Sequence, residues 1–390
     1  MSREIKSVGI VGAGAMGSGI AQVAAGAGCS VRIYDTRDGA AANAIKIIES
    51  TLEKRVQKGK MDSSEAAAIA QRISVAEKLE DFAETDLMIE AIVEQLEPKK
   101  QLFSTLESIV DANCLLATNT SSLSVTAIAS SCKNFERVIG LHFFNPAPLM
   151  PLVEIIPGLA TRSGLAQELR AEMLKWGKHP VVAKDTPGFI VNRVARPFYG
   201  EAIRIYEEGL ATPAQIDDAM RRLGGFKMGP FELMDFIGHD VNYAVTESVY
   251  TAFYFEPRYR PSLTQKRMVE AGWLGRKSGR GFYAYAEGSS LVQESVSDML
   301  GKTILHRILA MLINEAADAL YLKVASREDL DLAMTKGVNY PKGLLRWADE
   351  WGTDTVLNQL EDLMEHYAED RYRPSPLLKK MGLRNKKFYE

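Results

Sequence analysis

The region of this chain that leaves its fold the least freedom lies close to the start. Lys6 to Val11 is a short apolar run that reads as a buried strand, and it passes directly into Gly12-Ala13-Gly14-Ala15-Met16-Gly17. Ser18 to Ala27 then reads as a helix of small residues. Val31 to Tyr34 reads as a second strand ending on Asp35, an acid 18 residues after the third glycine. A bare G-x-G-x-x-G says little. Set between a strand and a helix, with an acid at that distance, it is a dinucleotide-binding fingerprint. Gly12 permits the tight turn, Gly14 lets the backbone approach the pyrophosphate, and Gly17 lets helix and strand pack closely. Ala15 and Met16 complete the loop, and the helix N-terminus offers unpaired N–H groups and a positive dipole end to phosphate. Asp35 can accept hydrogen bonds from both ribose hydroxyls and would repel a 2′-phosphate, so the expected cofactor is NAD rather than NADP. Arg37 is the one counter-signal.

Beyond this unit the chain keeps alternating in the manner of an α/β Rossmann-type doubly wound domain. Ala40 to Gly59 and Ser63 to Arg72 read as helices, a helical insertion at about 40–72, with Lys54 and Lys58 on one helical face. Leu87 to Val93 reads as a strand running into Glu94. Pro98 to Val110 reads as a helix with proline in its first turn. Leu115 to Thr118 reads as a strand delivering Asn119-Thr120-Ser121-Ser122, and Val138 to Leu141 as one delivering His142. Ligands of open α/β sheets bind outside the carboxyl ends of the strands. Gly12, Asp35, Glu94, Asn119, Ser121 and His142 are therefore expected on one rim. Glu154 follows His142 on the next apolar run, Leu152 to Ile156, where a hairpin could return it beside the imidazole. A carboxylate there would set the tautomer and stabilise the imidazolium of a general base. Asp185-Thr186-Pro187-Gly188 marks the expected domain boundary at 185.

The second half repeats itself. At a shift of 114 residues Glu201-Ala202 matches Glu315-Ala316, Ile216-Asp217 matches Leu330-Asp331, Gly229 matches Gly343, Asp235 matches Asp349 and Asp240 matches Asp354. With one residue dropped, Arg260-Pro261-Ser262 matches Arg373-Pro374-Ser375, and Phe282-Tyr283 recurs as Phe388-Tyr389. Two homologous all-α C-terminal domains are expected, at 186–285 and 297–390, joined near residues 286–288. Asn192 stands at the start of the first copy, and His306 takes its place in the second. No second dinucleotide fold accompanies copy two, so one active site per chain is expected.

Composition excludes several other roles. A net charge of −3 over 390 residues offers no electrostatic case for nucleic acid or an anionic membrane. Three scattered cysteines make neither a disulfide framework nor a zinc cluster, and no metal site is expected. No apolar run is long enough to span a bilayer and no leader pattern is visible, so the expected location is cytoplasmic.

With these motifs in view, the chain resembles the L-3-hydroxyacyl-CoA dehydrogenases over nearly its whole length, in particular the bacterial 3-hydroxybutyryl-CoA dehydrogenases. The resemblance is carried by the glycine loop through Gln22, Glu90 to Glu94, Thr118 to Leu123, His142-Phe-Phe-Asn-Pro-Ala-Pro148, Asp185 to Arg193, Met228 to Leu233 and Leu274 to Tyr283. It implies NAD-dependent, reversible oxidation of an L-3-hydroxyacyl-CoA to the 3-ketoacyl-CoA. His142 would be the base, oriented by Glu154, and Ser121 and Asn192 would hold the substrate oxygens. Glu94, Lys99, Asn119 and Asn145 would line the NAD site with the glycine loop and Asp35. Lys54 and Lys58 would lie near the CoA moiety. 3-Hydroxybutyryl-CoA is the first expectation for substrate and 3-hydroxyadipyl-CoA the alternative. An NAD-sensing scaffold, and a dehydrogenase of free hydroxyacids that leaves Lys54 and Lys58 idle, are the competing readings. Short members carry one C-terminal domain and pair through it as homodimers. Here the tandem is expected to pack as a pseudo-dimer within one chain, giving a monomer; otherwise the chain is a homodimer.

Overall fold

A computed structural model describes residues 4–285 and 294–389. The chain divides into two units, Met1–Thr186 and Pro187–Glu390. The linker expected at residues 286–288 lies outside the described residues.

The first unit is an eight-stranded sheet flanked by helices. Its elements in chain order are β1 (Ser7–Val11), α1 (Ala15–Gly26), β2 (Ser30–Tyr34), α2 (Ala40–Gln57), α3 (Ser63–Gln71), β3 (Ile73–Val75), β4 (Leu87–Glu90) and α4 (Leu96–Ile109). Then come β5 (Leu115–Thr118), α5 (Val125–Ala129), β6 (Val138–Phe143), β7 (Leu152–Pro157), α6 (Leu165–Lys175) and β8 (His179–Val182). The strand order is β3-β2-β1-β4-β5-β6-β7-β8. The first six strands of that row run parallel, and β7 returns antiparallel to β6. Strand residues alternate between two cores. Ile10, Ile33 and Ile89 face α1, while Val11 and Met88 face Phe103 and Leu106 of α4. Both faces are covered, which is why these strands read as continuous apolar runs. Each such side chain contributes about 1.5–3 kcal/mol by burial.

Several boundaries differ from the sequence reading. β4 stops at Glu90, so Glu94 stands on the following loop, and α4 opens at Leu96 with Pro98 inside its first turn. β6 continues through His142 to Phe143 because its partner β7 extends the ladder that far.

The second unit is helical. Helix Arg196–Glu207 packs against the long helix Asp298–Tyr321. The repeat seen in the sequence reappears as repeated hydrogen bonds. Asp217 accepts from the N–H groups of Phe231 and Glu232 (both 2.9 Å), and Asp331 from those of Leu345 and Arg346 (2.8 and 3.1 Å). Asp235 accepts from Phe282 and Tyr283 (3.0 and 2.9 Å), and Asp349 from Phe388 and Tyr389 (2.6 and 2.8 Å). Gly229 and Gly343 make room for this, since a Cβ at either would stand 2.3 Å from Asp217 or Asp331.

Contacts between the halves of this unit are reciprocal. Arg193 and Tyr259 converge on Glu315 (both 2.6 Å), while Arg307 and Tyr372 converge on Glu201 (3.3 and 2.8 Å). Each of these residues has its counterpart in the other half, at a shift of 114 for the arginines and glutamates and, with one residue dropped, 113 for the tyrosines. A contact of i with j answered by j with i is the pattern of a two-fold interface, here within one chain.

Candidate active site

The site grows from the carboxyl ends of the strands of the first unit. Gly12 has φ +106°, and a Cβ there would lie 2.4 Å from the Ala91 carbonyl oxygen. A Cβ on Gly17 would lie 1.8 Å from the carbonyl oxygen of Gly12, so any side chain would prise α1 off the turn. Gly14, the N-cap of α1, is different: nothing lies within 4 Å of where its Cβ would be. Its bareness leaves open space in front of the helix N-terminus, where a pyrophosphate fits. Beside it is a cavity of about 770 Å³ lined by Gly12, Gly14, Asp35, Ile92, Pro98 and Leu102 among others. Its apolar wall with one carboxylate suits an adenosine.

Asp35 accepts from the Ala13 N–H (2.8 Å) and from Nε and Nη2 of Arg37 (both 3.0 Å). The Arg37 hydrogen bonds, helped by that of Ala13, hold its carboxyl down at about 2. Arg37 lines the same cavity, but its fork is engaged by Asp35 rather than held out as a receptor for a 2′-phosphate. The counter-signal in the sequence is neutralised by two-residue proximity, and the residues present fit NAD.

Glu94 ties the loop after β4 to the loop after β5. Its Oε1 accepts from the Thr120 hydroxyl (2.6 Å), the Ser121 N–H (2.8 Å) and hydroxyl (3.2 Å), and the Ser122 N–H (3.1 Å). Burial would raise its pKa, but the charge of Lys99 and these hydrogen bonds outweigh that and hold it below the ordinary carboxylate value. Lys99 itself is buried. It reaches Glu90 Oε1 at 2.5 Å and Glu94 Oε2 at 3.2 Å, so it anchors the rim from beneath. Asn119 accepts from the Phe143 N–H (2.8 Å), tying the end of β5 to the backbone beside His142. Asn145 is exposed on the loop after β6.

His142 and Glu154 are directly opposed in the β6–β7 ladder, with Nδ1 2.6 Å from Oε2, and both are buried. The antiparallel return brings the carboxylate to the imidazole, as a hairpin should. Nδ1 of His142 is engaged by Glu154. Lys54 and Lys58 are both exposed at the C-terminal end of α2. Asn192 belongs to the second unit, in the short helix Val191–Val194.

Three supporting residues escaped the sequence reading. Glu90 accepts from the Thr118 hydroxyl (2.7 Å) and the Ile92 N–H (2.7 Å) besides Lys99, and its only signal was an acid inside an apolar run. Asp185, read as a boundary, caps α5 through the N–H groups of Val125 (3.0 Å) and Thr126 (2.8 Å). Lys178 donates to the carbonyls of Ala147 (2.5 Å) and Met150 (2.9 Å), pinning the loop between β6 and β7, and burial lowers its pKa to about 8. Nothing local in the sequence marks that role.

Comparison with known proteins gives the family of the chain. The model described as 3-hydroxyacyl-CoA dehydrogenase, NAD binding domain, matches residues 7–186. The model of the C-terminal domain of the same family matches residues 188–285 and 304–388. The chain is similar to the 3-hydroxyadipyl-CoA dehydrogenase of Escherichia coli (strain K12), with 41% identity covering 98% of each chain. It is also similar to a probable 3-hydroxybutyryl-CoA dehydrogenase of Bacillus subtilis (strain 168), 44% identical over 74% of this chain and all of the relative. A crystal structure of 3-hydroxybutyryl-CoA dehydrogenase from Escherichia coli K12 superposes with a TM-score of 0.94 at 40% identity, covering 98% of this chain and 99% of that one.

Proposed function

The chain belongs to the 3-hydroxyacyl-CoA dehydrogenase family, and from that premise we propose that it oxidises an L-3-hydroxyacyl-CoA to the 3-ketoacyl-CoA with His142 as general base. The observation that carries the residue assignment is the cross-strand pair of His142 and Glu154 at 2.6 Å. NAD, when bound, accepts the hydride that leaves C3. At the same moment the C3 hydroxyl proton must go to a base, and His142 Nε2 takes it as the C–O double bond forms. The buried carboxylate of Glu154 keeps the proton on Nδ1 and stabilises the imidazolium. In the reverse direction the imidazolium returns that proton to the alkoxide. Ser121 and Asn192 hold the substrate oxygens. Glu94, Asn119 and Asn145 line the nicotinamide side, with Lys99 supporting Glu94. Lys54 and Lys58 attract the phosphates of the CoA moiety.

The tandem helical copies form a pseudo-dimer that satisfies within one chain the surface through which single-copy members pair. The reciprocal ion pairs on Glu201 and Glu315 support this. The protein is then a monomer in solution.

Relatives bear the names of two substrate types, a short acyl chain in 3-hydroxybutyryl-CoA and a dicarboxyl one in 3-hydroxyadipyl-CoA. A cation serving the acyl end would favour the second. The test of the reaction is absorbance of reduced nicotinamide with acetoacetyl-CoA, using NADH and NADPH in parallel, on native protein and His142→Gln. The expected result is turnover with NADH that collapses in the variant. Undiminished turnover by His142→Gln would remove His142 from the mechanism.

A further inference from the structure

Among the described residues, one buried cation of the second unit has no anion to answer it. Arg196 lies four residues after Asn192, on backbone that stays helical through Ala195. Its Nη1 meets only the Thr246 hydroxyl (3.1 Å) and, more loosely, the Asn242 carbonyl (3.4 Å). Its guanidinium stacks 4.9 Å from the ring centre of Tyr199, and its Nε is buried with no hydrogen-bond partner. The hydroxyl of Tyr340, also buried and within the field of Arg196, has no partner either. Among the described residues no carboxylate pairs with Arg196, whereas Arg193 and Arg307 in the same unit each have their glutamates. A desolvated charge with unfilled donors is costly and calls for an anion.

The internal repeat supplies a control. At the shift of 114 residues, Arg196 corresponds to Ala310, Tyr199 to Ile313, Asn242 to Val356 and Thr246 to Leu360, while Tyr340 corresponds to Phe226. Every polar member of the cluster has an apolar mate, although the ion pairs that join the copies are kept in both. Packing at the mate position is thus met by aliphatic and aromatic side chains alone. The cation is not a requirement of the fold. It occurs only in the copy that carries Asn192, whose own mate is His306.

We infer that Arg196, with the hydroxyl of Tyr340, is the subsite for a carboxylate at the far end of the acyl chain, which makes the substrate a dicarboxyl 3-hydroxyacyl-CoA. This rests on the dehydrogenase reading above, with Asn192 on the substrate oxygens. The scale is suitable. Four residues of helix rise about 6 Å, and three carbon–carbon bonds separate C3 from a C6 carboxylate by roughly 4 Å. The guanidinium fork and a phenolic donor match a planar carboxylate. The second copy then does more than cover an interface, because it contributes Tyr340 to substrate choice.

The test compares kcat/KM for 3-hydroxyadipyl-CoA and 3-hydroxyhexanoyl-CoA, equal in chain length and differing in the terminal carboxylate, with NAD as oxidant. Native protein is expected to favour the dicarboxyl substrate by roughly 10²-fold or more, and Arg196→Met to lose most of that ratio. Equal turnover of both substrates by native protein, or a loss in Arg196→Met that leaves the ratio unchanged, would overturn the inference while leaving the dehydrogenase reading intact. Turnover of neither substrate by native protein would instead sink the dehydrogenase reading itself. Should Arg196→Met fail to fold, Tyr340→Phe removes a single hydroxyl. A reduced ratio in that variant supports the subsite, and an unchanged ratio counts against it.

Discussion

Glu154 stands opposite His142 in the β6–β7 ladder, its Oε2 2.6 Å from Nδ1, with the carboxylate wholly buried. This position is set by strand register rather than by a loop, so it is stiff. Glu154→Gln keeps shape and hydrogen bonding capacity but removes the charge that stabilises the imidazolium. Its kcat is expected to fall about 10²-fold with the KM for NAD little changed. A variant of native kcat in the NADH assay would show that the carboxylate only packs.

Asp35 gives a pH prediction with a definite sign. Its carboxyl is held at about 2, against an ordinary 3.8, by Arg37 and the Ala13 N–H. The folded state therefore binds the proton less readily than the unfolded chain. The resulting stabilisation is present above pH ~4 and is lost as pH falls toward ~2. Thermal melts of native protein and Asp35→Asn should differ at pH 5 and converge near pH 2. The same variant should lose discrimination against NADPH, since the repelling charge is gone.

Lys54 and Lys58 are exposed, so their contribution to CoA binding is expected to be modest and screened by salt. Replacing both by alanine should raise the KM for the acyl-CoA by about tenfold at low ionic strength and by less at high. An unchanged KM at low salt would return them to the role of a solvated helix face.

Glu201 and Glu315 are mates under the internal repeat, and each is buried beneath two arginines and a tyrosine of the opposite half. Removing one charge from such a cluster strands the arginines. Glu201→Gln and Glu315→Gln should each cost about 3–5 kcal/mol in denaturant unfolding. Similar losses from both would reflect the two-fold relation, and a loss from one alone would break it.

Light scattering should return the 43.1 kDa of a single chain. Twice that mass, with pairing through residues 188–285, would contradict the internal pseudo-dimer.

How much of this was written in the sequence depends on how far each constraint reaches. The glycine turn, α1 and Asp35 are legible because φ, Cβ clearance and the helix terminus are local matters settled within a few dozen residues. The His142–Glu154 pair is legible too, because a Pro-rich hairpin joins positions only 12 apart and strand alternation does the rest. The duplication is visible as spaced identities, since each copy must reproduce the same glycine and aspartate hydrogen bonds. Other features were decided by tertiary structure alone. Resemblance puts Lys99 at the NAD site, but only the packing of α4 shows it buried under Glu90 and Glu94 as their ion-pair partner. Arg37 looks like a phosphate receptor until its fork closes on Asp35. Arg196 and Tyr340 are 144 residues apart, and neither has a sequence signature. Their meaning comes from burial, which removes water as the default partner and leaves a donor to be matched by whatever the folded chain places beside it.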